Sequence, residues 1–263
     1  MTGVDEAFKQ AFADRAPLAG HWLSLGSPAL AELTAILGFD FALVDYEHAP
    51  TSMETIQGMI HAAQSDEART DVIVRLPDTG PTAAKQVLDA GAAGVMAPMI
   101  DDADAARDLV ANVRYPPDGR RGIAGSRATG YAQHFESYVT GANEKVVAIA
   151  QIETEAGLEN VADVVAVDGI DALFVGPADL SGSLGVFAEW DSPRLADAMD
   201  RVVAAAQDAD IPAGTLCVSP EDIPRRVDQG FDFLIVGKDT SFLARAATEA
   251  KATFESAVDD RAE

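Results

Sequence analysis

Eight short apolar runs, each followed by a helix-length or longer segment, constrain the fold more than any other feature. The runs fall at 19–25, 41–45, 72–76, 94–98, 146–152, 172–175, 213–217 and 233–236. Periodic segments at 27–37, 52–66, 80–91 and 102–113 separate the first five, and residues 1–16 read as a leading helix. Successive parallel strands need such crossovers, whereas antiparallel strands do not. Eight repeats predict an α/β fold, a (β/α)8 TIM barrel, and 263 residues suit one barrel of ~250. With no Pro/Ser linker or composition step, one domain over 1–263 is expected. The alternative is an open doubly wound sheet, but no Gly-rich dinucleotide fingerprint follows the first strand. Residues 115–143, rich in Gly, Arg and Tyr, form an insertion after the fourth helix, too long for a simple connection. Its Arg120, Arg121 and Arg127 serve either local salt bridges or an anion.

Barrel sites lie at the C-terminal ends of strands, so residues just after each apolar run deserve weight. The run 146–152 leads into Glu153, and 172–175 into Gly176-Pro177-Ala178-Asp179, with an amphipathic helical segment between. Both carboxylates therefore emerge side by side on strands about 4.8 Å apart. Each acid alone would serve as a helix cap. Two together repel unless a cation or shared proton lies between them, which points to a divalent-metal site.

Other strand ends carry further candidates. His48 follows the second run, flanked by Asp45 and Glu47, and is the one histidine at a strand C-terminus; it reads as a structural residue or a poised base. Arg75 closes the third run, where an unpaired charge would be costly, so it faces an acid or an anionic ligand. Asp89, at the end of the third crossover helix, is ambiguous by itself. Lys238 follows the eighth run: a desolvated lysine there would suit a Schiff base, but its place beside Asp239, a helix-capping residue type, favours a solvated loop.

The net charge of −24 argues against nucleic acid or an anionic membrane as partner. Lysines are confined to Lys9, Lys85, Lys145, Lys238 and Lys251, and aspartates outnumber glutamates, a surface suited to a high-salt, halophilic cytoplasm. One cysteine, Cys217, excludes an internal disulfide. No apolar run reaches 18 residues and the N-terminus lacks a signal-peptide layout, so the expected location is cytoplasmic.

Taken together, FDFALVDYEHAP (39–50), VRLP (74–77), LDAGAAGVMAPM (88–99), RYPPDGRRG (114–122), QIETEAGLEN (151–160) and GIDALFVGPADLSGSLG (169–185) resemble the HpcH/HpaI aldolase family, typified by 4-hydroxy-2-oxoheptanedioate aldolase. The likeness extends to GKDTSFLARAA near the C-terminus. It implies a barrel of the phosphoenolpyruvate/pyruvate-binding type and reversible cleavage of a 4-hydroxy-2-oxo acid to pyruvate and an aldehyde. It also implies a divalent cation (Mg²⁺, Mn²⁺ or Co²⁺) on Glu153 and Asp179. Gln151 and the backbone at Ala178 would hold pyruvate with Asp179. Arg75 would stabilise the enolate, and His48, made more basic by Asp89, would act as base. A homo-oligomer, trimer or hexamer, would form through a C-terminal helix. Lys238 departs from the pattern, standing where a small or apolar residue is expected, and residues 122–135 follow it only loosely. The other readings are a citrate-lyase-β-like lyase of CoA esters, a Lys238 Schiff-base aldolase, and a 2-oxo-acid-binding protein without turnover.

Overall fold

A computed structural model describes residues 6–65 and 69–261. Strands β1 (Leu18–Leu23), β2 (Phe41–Asp45), β3 (Asp71–Arg75), β4 (Gly94–Ala97), β5 (Val147–Ile152), β6 (Ala172–Val175), β7 (Ala213–Leu216) and β8 (Phe233–Lys238) close into one barrel in chain order. Every neighbouring pair is parallel, β8 returning to β1. The helices are α1 (Glu6–Ala13), α2 (Pro28–Ile36), α3 (Met53–Ala63), α4 (Pro81–Asp89), α5 (Ala103–Val113), α6 (Phe135–Gly141), α7 (Glu155–Glu159), α8 (Val161–Val165), α9 (Pro177–Ser183), α10 (Pro193–Asp208), α11 (Asp222–Asp228) and α12 (Asp239–Asp259). The predicted (β/α)8 barrel is the observed fold.

The strands are apolar on both faces because both are covered. Alternate residues divide accordingly. Ala42, Val44, Val72 and Val74 pack outward on Ile56, Met59, Val87 and Leu88 of the helices. Phe41, Leu43, Ile73, Phe174 and Phe233 fill the interior. Gly20 and Gly214 make room there: a Cβ would lie 2.2 Å from the ring of Phe41 or Phe233. Helix α1 closes the N-terminal end of the barrel, setting Phe8 and Phe12 on those same rings, 6.3 and 5.1 Å between centroids. Lys9 fastens it there through the Val146 carbonyl and Asp171, each at 3.0 Å. With that end plugged, the C-terminal mouth is where a ligand enters.

Three boundaries differ from expectation, each for a local reason. β1 stops at Leu23 because the N–H groups of Ser24 and Leu25 donate to the Asp239 carboxylate (both 2.9 Å). Asp239 thus staples β1 to the end of β8, and the residue at the N-cap of α12 is Lys238. β8 runs to Lys238, and its ladder to β1 carries a bulge: Gly20 pairs with Ile235, but Trp22 pairs with Lys238 rather than Gly237. The insertion at 115–143 folds under the barrel, since it must return the chain from α5 to the start of β5. Its arginines pair locally: Arg120 with Asp108, Arg121 with Asp89, Arg127 with Gln64.

Candidate active site

The inward phase of β1, β2 and β3 ends in Trp22, Asp45 and Arg75, and these three form one unit. Asp45 and Arg75 are register partners at the ends of adjacent strands. Arg75 Nη2 and Nε donate to Asp45 at 2.8 and 3.2 Å, and Nη1 lies 2.8 Å from Glu47 Oε2. The Arg75 guanidinium stacks 4.6 Å from the Trp22 ring centroid, while Trp22 Nε1 donates to Asp45 at 3.3 Å. Asp45 also accepts from the Glu47 and His48 N–H groups (3.1 Å each), shaping the turn that presents both side chains. Burial pushes the Asp45 carboxyl up, but Arg75 and these donors outweigh it and hold the group below the usual range. A guanidinium carries five N–H groups; two donate to Asp45, and Nη1 lies beside Glu47 within ion-pair distance.

Across the mouth, β5 and β6 deliver Gln151, Glu153 and Asp179. Glu153 is 3% exposed. Its Oε1 accepts from the Met99 N–H (2.8 Å), which a left-handed turn at Met99 (φ 55°) directs inward. Such backbone strain costs of order 1 kcal/mol and clusters at functional sites. Its Oε2 accepts from Gln151 Nε2 at 2.5 Å, leaving the buried Gln151 Oε1 without a partner. Gly176 must be glycine, since a Cβ would sit 2.8 Å from both Gln151 Nε2 and Glu153 Oε2. Burial is the largest cause lifting the Glu153 carboxyl to about 7; the Met99 N–H opposes it, and Asp179 and Glu47 add repulsion. The nearby cation, Arg75, is already engaged by Asp45 and Glu47.

The chemistry of these side chains suits a divalent cation. Glu153 and Asp179 place negative charge beside an unpartnered carbonyl oxygen with too little positive charge nearby. Among the described residues, no group of three or more His, Cys, Asp or Glu side chains is placed to enclose a metal. Were a cation held by Glu153 and Asp179, the remaining oxygen ligands would have to come from substrate and water, as suits hard cations.

These groups border a cavity of about 470 Å³, whose lining includes Trp22, His48, Arg75, Gln151, Ala178 and Asp179. His48 is largely exposed at the rim, its Nε2 3.7 Å from Glu47 Oε1. Asp89 is not brought to His48. It ends α4, and the α-to-β turn that follows lies at the opposite end of the barrel. There its carboxylate takes a 2.8 Å bond from the buried Arg121. Within one chain, Asp89 therefore cannot raise the basicity of His48. Lys238 also departs from expectation. The β8 bulge turns it into the cavity, where its Nζ stands 5.8 Å from the Trp22 centroid. Trp22 and the pairing of Asp45 with Arg75 were not singled out from sequence, though two ionic residues ending consecutive strands was an available signal.

A parallel eight-stranded barrel with an arginine, a rim histidine and cation-seeking carboxylates over one C-terminal cavity is the architecture of a (β/α)8 enzyme. A family model described as HpcH/HpaI aldolase/citrate lyase matches residues 18–246, and the chain belongs to that family. A hydroxypyruvate/pyruvate aldolase of Roseovarius nubinhibens is 35% identical over 252 residues, spanning 95% of this chain and 96% of that protein. A 4-hydroxy-2-oxo-heptane-1,7-dioate aldolase of Salmonella arizonae is 36% identical, spanning 95% of each. The crystal structure of a family protein from Burkholderia cenocepacia J2315 superposes with a TM-score of 0.92 at 35% identity, covering 95% of this chain and 100% of that one.

Proposed function

We propose that this chain is a divalent-metal-dependent aldolase that cleaves a 4-hydroxy-2-oxo acid reversibly to pyruvate and an aldehyde. The observation that carries the reading is the pairing of under-compensated Glu153 and Asp179 with the Arg75 guanidinium, which lines the same cavity. Glu153 and Asp179 would hold Mg²⁺, Mn²⁺ or Co²⁺, which supplies positive charge to the 2-oxo acid end of the substrate. Gln151 and the first turn of α9, whose Ala178 and Asp179 N–H groups lack intrahelical partners, would orient the carboxylate. His48 takes the proton of the C4 hydroxyl. The C3–C4 bond then breaks, its electron pair moving onto the pyruvate fragment as an enolate while the aldehyde leaves. Arg75, clamped by Asp45 and Glu47, donates to the enolate oxygen in a geometry fixed beforehand. A proton returned to C3 completes pyruvate.

Arg225, which lines the cavity, is paired with Asp191 and Asp222 and so adds no free charge to the phosphate groove a CoA ester would need. The full-length likeness to proteins named as aldolases supports the same choice over a binding protein without turnover. Helix α12 supports association into a homo-oligomer, trimer or hexamer. Only Asp239 of its 21 residues is buried, and Leu243 and Phe254 are 62% and 69% exposed. The test is pyruvate release from 4-hydroxy-2-oxo acids in molar KCl. EDTA should abolish it and Mn²⁺ or Mg²⁺ restore it; activity that survives chelation and is trapped by borohydride would move the chemistry to Lys238.

A further inference from the structure

Lys238 is an ammonium group inside the candidate active-site cavity of a chain with net charge −24. It is there because of the β8 bulge. Counting by twos from Phe233 and Ile235 would point Gly237 inward and Lys238 out; the extra residue opposite Trp22 reverses this. Bulges beside active sites commonly re-aim a side chain in this way. Two other cations of the cavity are neutralised by carboxylates. Arg75 is held by Asp45 and Glu47 and Arg225 by Asp191 and Asp222, while the buried Arg226 bonds the neutral Gln229 and the Met199 sulfur. Among the described residues no carboxylate pairs with Lys238; its Nζ stands over the Trp22 ring face, which orients the amine without neutralising it. The same ring carries the Arg75 guanidinium, so the two cations stand at most about 10 Å apart, given 4.6 and 5.8 Å to one centroid.

We propose that Lys238 is a specificity-determining residue that binds an anionic group, a carboxylate or a phosphate, on the aldehyde-derived half of the substrate. The inference rests on the aldolase reading above. Arg75, Gln151 and Glu153 fix the 2-oxo acid end, so the rest of the ligand extends along Trp22 toward β7 and β8. On that side the lining mixes apolar Leu216, Val218 and Trp190 with the Arg225–Asp191–Asp222 ion-pair cluster and Arg226, and Lys238 is a charge there that no carboxylate pairs. An amine left unpaired in a half-enclosed cavity favours an anionic tail. A neutral tail leaves it unmatched.

The experiment is aldol addition of pyruvate, with Mn²⁺, to matched aldehydes: 4-oxobutanoate against butanal, and glyceraldehyde 3-phosphate against glyceraldehyde. Wild type, Lys238→Met and Lys238→Arg are compared at the lowest KCl that keeps each folded by circular dichroism. Lys238→Met should lose about tenfold or more in kcat/KM with a charged aldehyde, mainly through KM, and change little with its neutral counterpart. Lys238→Arg should recover much of that loss. Which charged aldehyde shows the effect separates carboxylate from phosphate. Equal losses with charged and neutral aldehydes, or no loss with either, would overturn the assignment. A wild type inactive with all four would instead refute the aldolase reading. Calorimetric titration with glutarate and with inorganic phosphate would then decide the lysine separately: heat lost in Lys238→Met sustains the anion site, and unchanged binding removes it.

Discussion

Replacing Glu153 by Gln tests the charge balance of the site without asking for turnover. In the metal-free protein the Glu153 carboxyl titrates near 7 instead of 4.5, chiefly because it is buried. Below pH 4.5 both folded and unfolded chains keep the proton and the site carries no penalty. Between 4.5 and 7 the unfolded chain releases the proton while the native one retains it, so stability falls as pH rises. Above 7 the penalty is complete, at roughly 3 kcal/mol. Glutamine removes the charge and keeps the bonds: its carbonyl can accept from Met99 N–H, and Gln151 can turn its unpartnered Oε1 toward the new amide. Urea unfolding of chelator-treated protein at fixed KCl, from pH 4.5 to 8.5, should therefore show the two proteins equally stable at the acid end. Glu153→Gln should lead by roughly 3 kcal/mol at the alkaline end. Added Mn²⁺ should reverse the order, since a cation at a thousand times its Kd contributes about 4.1 kcal/mol to the protein that binds it. Parallel pH curves, or equal stabilisation of both proteins by Mn²⁺, would refute the reasoning.

Arg75→Ala should destabilise by about 3–5 kcal/mol, because it strands the buried Asp45 carboxylate, whereas Arg75→Lys should fold better but lose the bidentate clamp and most activity; denaturation and kinetics together read both. Melting temperature should climb steeply between low and molar KCl if the acidic surface is adapted to salt, and a flat profile would sink that idea. Sedimentation should report a trimer or hexamer that weakens when Leu243 and Phe254 on α12 are changed to Ser. A monomeric wild type would dispose of that proposal.

Where the chain obeys a simple period, its sequence is readable. Phe41, Leu43 and Asp45 alternate inward without interruption, and Arg75 ends the neighbouring strand in register, so the reacting end of the cavity follows from counting. Glu153 follows β5 directly and Asp179 sits in the first turn of α9 just past β6, so their position at the mouth is readable in the same way. Counting fails where one residue breaks the period. The bulge on β8 is invisible in GFDFLIVGKD, since nothing in its apolar pattern marks an extra residue, and the residue it turns inward is the one dismissed as solvated. The place of Asp89 is set by a different feature. A motif places a residue along the chain, whereas the end of the barrel it occupies depends on whether it precedes or follows a helix. Asp89 closes α4 and so falls on the face where chains re-enter strands, where Arg121 from the insertion pairs with it. Arg121 is fully enclosed there, so breaking that pair would leave a charge uncompensated. The requirement on Asp89 within one chain is thus electrostatic and local, which a shared motif cannot distinguish from a part in the chemistry.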